Sequence, residues 1–425
     1  MDKFTRKMVL MFVLVVIPGI VLSSWTVAAA NKTLTFDFGT GSSNDEEGYY
    51  QVTPTTEYST EQGYGFTNTE GITAYQFERE DLLQKDALRF NDETIFKVDL
   101  EPGDYQLTFI AGDADEEISV GVKVEDIQKV ENQVVESNQF LDETFELALI
   151  EETLSLQLTG ENPRINGLRI ERLAERNATK HPTVYVASDS TAQTYDDYWK
   201  PQTGWGQVLD RYFKDRVTVD NHAIGGRSSK TFYTEGRLDT ILREIKPDDY
   251  LLIQFGHNDA TYTRPERYTT VEDFKDYLTT YVTGVRQRGA VPILITPVNR
   301  RDFNPDTGIF NVSFPEYKEG MEEVAAELDV LLVDLNSLSR ELFNELGPEG
   351  TKSIFLHLDP GMYEAHPNGV ADDTHFQEHG AIQVARILSE GIKKLNTPLA
   401  RYVQKEKRGK GPFENPREDN PGKNK

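Results

Sequence analysis

The sequence predicts two units: an all-β sandwich followed by an α/β domain of the flavodoxin-like kind, three layers built on a five-stranded parallel sheet. Three observations carry this. The 425 residues exceed one ordinary domain and, at 37% hydrophobic, hold enough apolar side chain for two cores. Between residues 32 and 173 the apolar residues alternate with polar ones in short runs; after Pro182 apolar strands alternate with helical stretches.

The chain opens on Lys3, Arg6 and Lys7, then an almost wholly apolar run over 8–22, then Val27-Ala28-Ala29-Ala30. A basic head, a short greasy segment and small residues in A-x-A spacing form the pattern of an export signal, with cleavage expected after about Ala30. A retained membrane anchor is the competing reading, because the apolar run reaching Trp25 approaches the ~20 residues that span a bilayer. We therefore expect a secreted protein with no stable membrane anchor after cleavage. Residues 31–173 are read as the sandwich. The runs at 34–38, 95–100, 105–110, 118–124 and 154–158, with Pro102-Gly103-Asp104 and similar turns between them, indicate seven or more antiparallel strands, closed by a last one near 165–172. The polar stretch 174–182 reads as a linker.

In the second domain, 183–400, strands are expected at 183–187, 217–220, 250–255, 291–296 and 331–334. Helices are expected at 271–288, 314–328 and 379–395, where apolar residues recur every three or four positions. The tail 401–425, rich in Lys, Gly, Pro and Asn, has little to bury and is expected to be disordered. A total of 71 Asp and Glu against 45 Lys and Arg, a formal net charge of −26, argues against nucleic acid as a partner. The absence of cysteine removes disulfides, a thiol nucleophile and thiolate metal sites.

Ligands of open parallel sheets gather at the carboxyl ends of the strands. Four segments occupy such places: Ser188-Asp189-Ser190-Thr191, Ile224-Gly225-Gly226-Arg227-Ser228, Gly256-His257-Asn258-Asp259, and Asp372-Asp373-Thr374-His375 just ahead of the last helix. Together they supply what acyl transfer needs. A serine hydroxyl requires a base, the base an orienting acid, and the developing oxyanion a set of donors. Asp372 and His375 are expected to turn on one short loop. Gly226 admits close approach of a backbone N–H, and Asn258 adds a side-chain donor. Alone, each segment has a plainer reading, as a helix N-cap, a tight turn or a solvated loop.

In this order the four segments resemble the blocks of the SGNH hydrolases, also called GDSL esterases, over residues 183 to about 396. Gly204-Trp205-Gly206, the Gly226-Arg227-Ser228 step and the Asp-x-Thr-His form of the last block draw the resemblance toward the rhamnogalacturonan acetylesterases. The resemblance implies Ser190 as nucleophile, His375 as general base and Asp372 as its partner, with Ser190 N–H, Gly226 N–H and Asn258 as the oxyanion hole. It also implies an acetylated pectic polysaccharide as substrate and no cofactor. Ser188 stands where the family has glycine. The amino-terminal half resembles galactose-binding-like modules, notably at Phe36-Asp37-Phe38-Gly39 and from Pro102 to Asp115. Acetylated xylan, another acyl ester and a non-catalytic carbohydrate-binding role remain as alternatives.

Two further expectations concern ligands. Arg227, Lys230, Arg264, Arg267, Arg300 and Arg301 all fall near the expected catalytic face, where they would either bind uronate carboxylates or pair with neighbouring acids; Trp199, Trp205 and Tyr195 would stack on sugar rings. His357, His366, His375 and His379 lie among Asp359, Asp372 and Asp373, a composition that suits a metal, but no His-Glu-x-x-His accompanies them and no metal is expected. In the sandwich, Tyr49, Tyr50, Tyr58, Tyr64 and Phe66 are candidates for a sugar platform, with docking against the second domain preferred. Asp113 and Asp115 are candidate calcium ligands.

Overall fold

A computed structural model describes residues 33–41 and 49–405. The expected export signal and the tail beyond residue 405 lie outside the described residues, and no described helix is long and apolar enough to cross a membrane.

Two five-stranded sheets form the first half. One runs Phe140–Leu149, Gly103–Gly112, Gly167–Arg172, Leu34–Phe38, Tyr49–Val52 in space; the other runs Tyr64–Phe66, Phe96–Asp99, Thr153–Thr159, Ile118–Val124, Ile127–Val135. Alternation explains their packing: in Thr153–Thr159 every second residue, Leu154, Leu156 and Leu158, is buried in a single core shared with Phe36, Phe96 and Leu107. The Leu34–Phe38 to Tyr49–Val52 pairing is parallel, a departure from an antiparallel sandwich. Tyr50, Tyr64 and Phe36 stack on one another with centroids 5.3–5.4 Å apart, and Phe66 is fully buried, so these aromatics pack the sandwich instead of forming a platform. Asp113 is likewise accounted for: its carboxylate lies 3.1 Å from buried Arg164 and accepts the N–H groups of Asp115 and Glu116.

The second half is a parallel sheet in the order Thr218–Asn221, Thr183–Ala187, Tyr250–Ile253, Val291–Ile295, Leu331–Val333. In chain order this is 2-1-3-4-5, the flavodoxin-like arrangement, with its reversal between the first and third strands. The three central strands are almost wholly apolar because both faces are covered. Val184, Val186 and Leu252 face a layer made by α5 (Leu335–Gly350), α6 (Glu378–Lys394) and the 3-10 segment Trp205–Tyr212; Tyr185, Leu251 and Ile253 face α1 (Ser229–Thr234), α2 (Arg237–Glu244), α3 (Val271–Gln287) and α4 (Pro315–Glu327). Helices α1, α2 and α5 are additions to the three that the sequence predicts. The first two are six and eight residues long, too short for a period to show, and α5 is broken at Gly347-Pro348, where Gly347 leaves the helical conformation.

The halves meet through α2 and the ends of the strands remote from Ser190. Asp239 on α2, 4% exposed, accepts the Ala148 N–H at 2.8 Å and binds Lys129 at 2.7 Å and Arg243 at 3.1 Å. Asp104 of the sandwich binds Arg288 at 2.7 Å and also pairs with Arg176, which donates in turn to the Leu242 and Ile245 carbonyls. Ala148 and Ile150 join the apolar cluster of the α1 to α4 layer. Asp239→Ala, which strands the buried Lys129 ammonium and the Ala148 N–H, is expected to cost roughly 3 kcal/mol in denaturant unfolding. A change below about 0.5 kcal/mol, the usual range for surface substitutions, would show that this contact does not hold the halves together.

Candidate active site

The first strand ends at Ala187, and the next three residues turn sharply. Asp189 is fully buried, and its Oδ1 accepts both the N–H and the hydroxyl of Thr191 at 2.8 Å, closing a turn that presents Ser190 at the sheet edge. Ser188 fits where the family has glycine: it is buried, its hydroxyl accepts from Gln254 Nε2 at 3.1 Å, and its carbonyl accepts from Ile224. Tyr195 donates its hydroxyl to the Ser190 carbonyl at 2.8 Å.

His375 reaches Ser190 from the other side. Its Nε2 lies 2.8 Å from Ser190 Oγ and its Nδ1 lies 2.7 Å from Asp372 Oδ2. A carboxylate only accepts, so Nδ1 carries the proton and Nε2 is free to take one from the serine. Asp372 and His375 do not share a simple loop. Both lie in the strand Val370–Phe376, paired with Phe355–Leu358, where Leu356 faces Asp372 but the next residue back, Phe355, faces Phe376. Residues 373–375 bulge out between those pairs. In a regular strand positions i and i+3 point to opposite faces, and the bulge is what brings these two side chains together. The Asp372 Oδ1 accepts the N–H groups of Thr374 and His375 at 2.7 and 2.9 Å, which holds the bulge closed. Burial opposes ionisation of Asp372, but its hydrogen bonds and the facing imidazole prevail and hold the carboxyl well below the usual carboxylate range. Asp373, on the bulge, is gripped by Arg301 at 3.0 Å and His357 at 2.7 Å.

The donors lie opposite. Gly226 has φ +80°, a conformation that favours glycine, and a Cβ on Gly225 would stand 2.8 Å from Gln193 Oε1, which accepts the Gly225 N–H, and 3.5 Å from Ser190 Cβ. Asn258 Nδ2 donates one hydrogen to the Arg227 carbonyl at 2.8 Å and carries a second. Buried Asp259 braces this loop, accepting from the Ser229 N–H and hydroxyl, the Gly256 N–H and the Thr269 hydroxyl.

The structure thus brings Ser190, His375, Asp372, Gly226 and Asn258 to one place. Trp205 is a correction: it is fully buried, with its indole N–H 3.2 Å from Gln254 Oε1, and cannot touch a sugar. Arg227 is held by Glu235 and the Gly225 carbonyl, and Arg301 by Asp373 and the Pro348 carbonyl. Exposed aromatic surface lies instead at Trp199, 42% exposed, and Tyr198. The C-terminal histidines do not converge: His375 faces Ser190, His357 faces Asp373, and His379 is exposed on α6. Sequence reasoning missed Gln254, whose amide ties Trp205, Ser188 and Thr191 into one network under Ser190; its only signal was a polar residue in the otherwise apolar run 250–255.

His257 is buried, and its Nε2–H donates to the Val298 carbonyl at 3.0 Å. Burial pushes its pKa down from 6.5 to about 4. Between those values an unfolded chain takes up a proton that the native one refuses. Stability is therefore lost as pH falls through this window, by up to roughly 3 kcal/mol from this residue. His257→Gln is expected to flatten that part of the curve of unfolding free energy against pH; equal slopes in the two proteins would refute the assignment.

Residues 189–380 match the GDSL-like lipase/acylhydrolase family, and residues 34–163 match the galactose-binding-like domain of the β-agarase/YXIM esterase type. Three proteins of Bacillus subtilis (strain 168) are similar in sequence. Probable rhamnogalacturonan acetylesterase YesY is 44% identical over 225 residues, 53% of this chain and 98% of that protein. Rhamnogalacturonan acetylesterase RhgT is 40% identical over 52% of this chain and 93% of its own. The uncharacterized esterase YxiM is 31% identical over 356 residues, 81% of this chain and 89% of its own.

Proposed function

The chain belongs to the GDSL-like lipase/acylhydrolase family and is a carbohydrate acetylesterase, and we propose that it acts outside the cell on acetylated rhamnogalacturonan, with Ser190, His375 and Asp372 as its catalytic triad. The observation that carries the mechanism is the unbroken line from Asp372 Oδ2 through His375 to Ser190 Oγ, 2.7 and 2.8 Å in its two links. His375 Nε2 takes the hydroxyl proton as Ser190 Oγ attacks the acetyl carbonyl carbon. The oxyanion meets the N–H groups of Ser190 and Gly226 and the Asn258 amide. Collapse of the tetrahedral adduct expels the sugar oxygen, which receives the proton from His375 and leaves an acetyl-serine. Water then repeats the sequence, its proton passing to His375 and its oxygen to the acetyl group, which departs as acetate. Asp372, ionised well below neutral pH, stabilises the imidazolium formed in both halves.

Support for the pectic substrate comes from YesY and RhgT, 44% and 40% identical over 53% and 52% of this chain and named as a probable rhamnogalacturonan acetylesterase and a rhamnogalacturonan acetylesterase. Support for export comes from the basic, apolar and small-residue pattern of residues 1–30. Acetate release from acetylated rhamnogalacturonan, acetylated xylan and an aryl acetate, each beside Ser190→Ala, tests the reading. Ser190→Ala is expected to lower kcat at least ~10³-fold, and Asn258→Ala by roughly 10²- to 10³-fold. A preference for xylan would replace the substrate; undiminished release by Ser190→Ala would sink the mechanism.

A further inference from the structure

Three of the six cations expected near the catalytic face have ion-pair partners. Arg227 lies 3.0 Å from Glu235, Arg264 3.7 Å from Glu266 and Arg301 3.0 Å from Asp373. Arg267 and Arg300 differ. Neither forms an ion pair among the described residues, and the Nε of each is buried without a hydrogen-bond acceptor. Such a group carries a desolvation cost that a buried side chain normally offsets with a carboxylate.

Both stand beside the chemistry. Arg267 Nη1 lies 3.6 Å from where a Cβ on Gly226 would be, against the backbone that offers the oxyanion its N–H. The Arg300 guanidinium sits 4.7 Å from the centre of the Phe314 ring, which itself packs against His257 at 4.8 Å. Burial holds the Arg300 pKa below its usual value; the charges of Asp189 and Asp372 oppose that and the nearby charge of Arg267 adds to it. Neither guanidinium is ion-paired among the described residues, in a protein whose net charge is −26. Phe314 also begins an open groove lined by Tyr262, Tyr268 and Tyr317, in which Tyr262 is 78% exposed.

We propose that Arg267 and Arg300 form a carboxylate-binding subsite that recognises a uronic acid residue next to the acetylated sugar, with the polysaccharide continuing along the groove past Phe314 and Tyr262. This rests on the acetylesterase reading and deepens it. A guanidinium offers a planar pair of donors that matches a carboxylate in two hydrogen bonds, which an ester or a neutral sugar hydroxyl cannot return with charge. The pair would thus confer selectivity for acidic over neutral polymers despite the repulsion between a polyanion and an acidic protein.

Two measurements test it. The first needs no variant: kcat/KM for acetate release from acetylated rhamnogalacturonan is compared with that from the same polymer after chemical reduction of its uronate carboxyls to alcohols. A ratio of at least about 10 is expected for loss of a charge-assisted pair, and a ratio near one overturns the subsite. The second uses Ser190→Ala protein, which holds ligand without turning it over, and titrates deacetylated rhamnogalacturonan oligosaccharide by calorimetry. Adding Arg300→Met or Arg267→Met is expected to weaken Kd about tenfold each, with Arg→Lys at the same positions, the substitution least disturbing to folding, giving a smaller loss. Unchanged Kd in both Lys and Met variants overturns the proposal. Failure of the wild-type protein to release acetate from any of its esters, aryl acetate included, is a separate result that removes the acetylesterase reading, whereas binding in the Ser190→Ala background is read independently of turnover.

Discussion

An imidazole has two nitrogens, and in this protein both are committed before any substrate arrives. His375 donates its Nδ1–H in a hydrogen bond to Asp372 and turns its bare Nε2 to Ser190. That single tautomer leaves Nε2 able to accept a proton from the Ser190 hydroxyl, and the rest of the domain arranges the three segments that meet there. The reversal of strand order at Thr183–Ala187 opens a crevice at the carboxyl ends of that strand and Tyr250–Ile253, the two strands that lead to Ser190 and Asn258. The bulge in Val370–Phe376 delivers His375 and Asp372 from a hairpin outside the main sheet. Asp189, Gln254 and Asp259, all buried, hold the turns that carry Ser190 and Asn258.

What could be read in the sequence follows from how local each feature is. Ser190, Gly226 and Asn258 sit in short polar blocks that follow apolar strands, so they stand out wherever strand ends can be recognised. The five strands and the helices α3, α4 and α6 were visible because their periods run long enough. The bulge was not, since nothing in Asp372-Asp373-Thr374-His375 tells which of its residues keep their cross-strand partners. Trp205 misled for a related reason. Beside Gly204 and Gly206 it looked like an exposed ring, yet a Cβ at Gly204 would meet the Gln193 nitrogen at 2.5 Å and its carbonyl at 2.3 Å, and the segment is drawn tightly against the turn after Ser190. Its glycines serve close packing, and the indole fills the core.

Charge was the least legible property. Arg227, Arg267, Arg300 and Arg301 are indistinguishable as letters in loops. The acid that neutralises an arginine can come from anywhere in the chain: Glu235 is eight residues from Arg227, while Asp373 is 72 from Arg301. Only the folded arrangement separates the cations that brace loops from those with nothing to brace.

The way the halves join limits how the protein can be divided. The matches to YesY and RhgT take in 98% and 93% of those proteins but 53% and 52% of this chain. In this chain the same helix layer has been tailored to a neighbour. Asp239 and Arg288 point their charges at the sandwich, and Ala148 and Ile150 complete the apolar packing around α2 and α3. Cutting at the polar stretch after Leu173 would bare a greasy patch and orphan its charges. Any shuffling of the two parts between genes would have to bring a matching surface along with it.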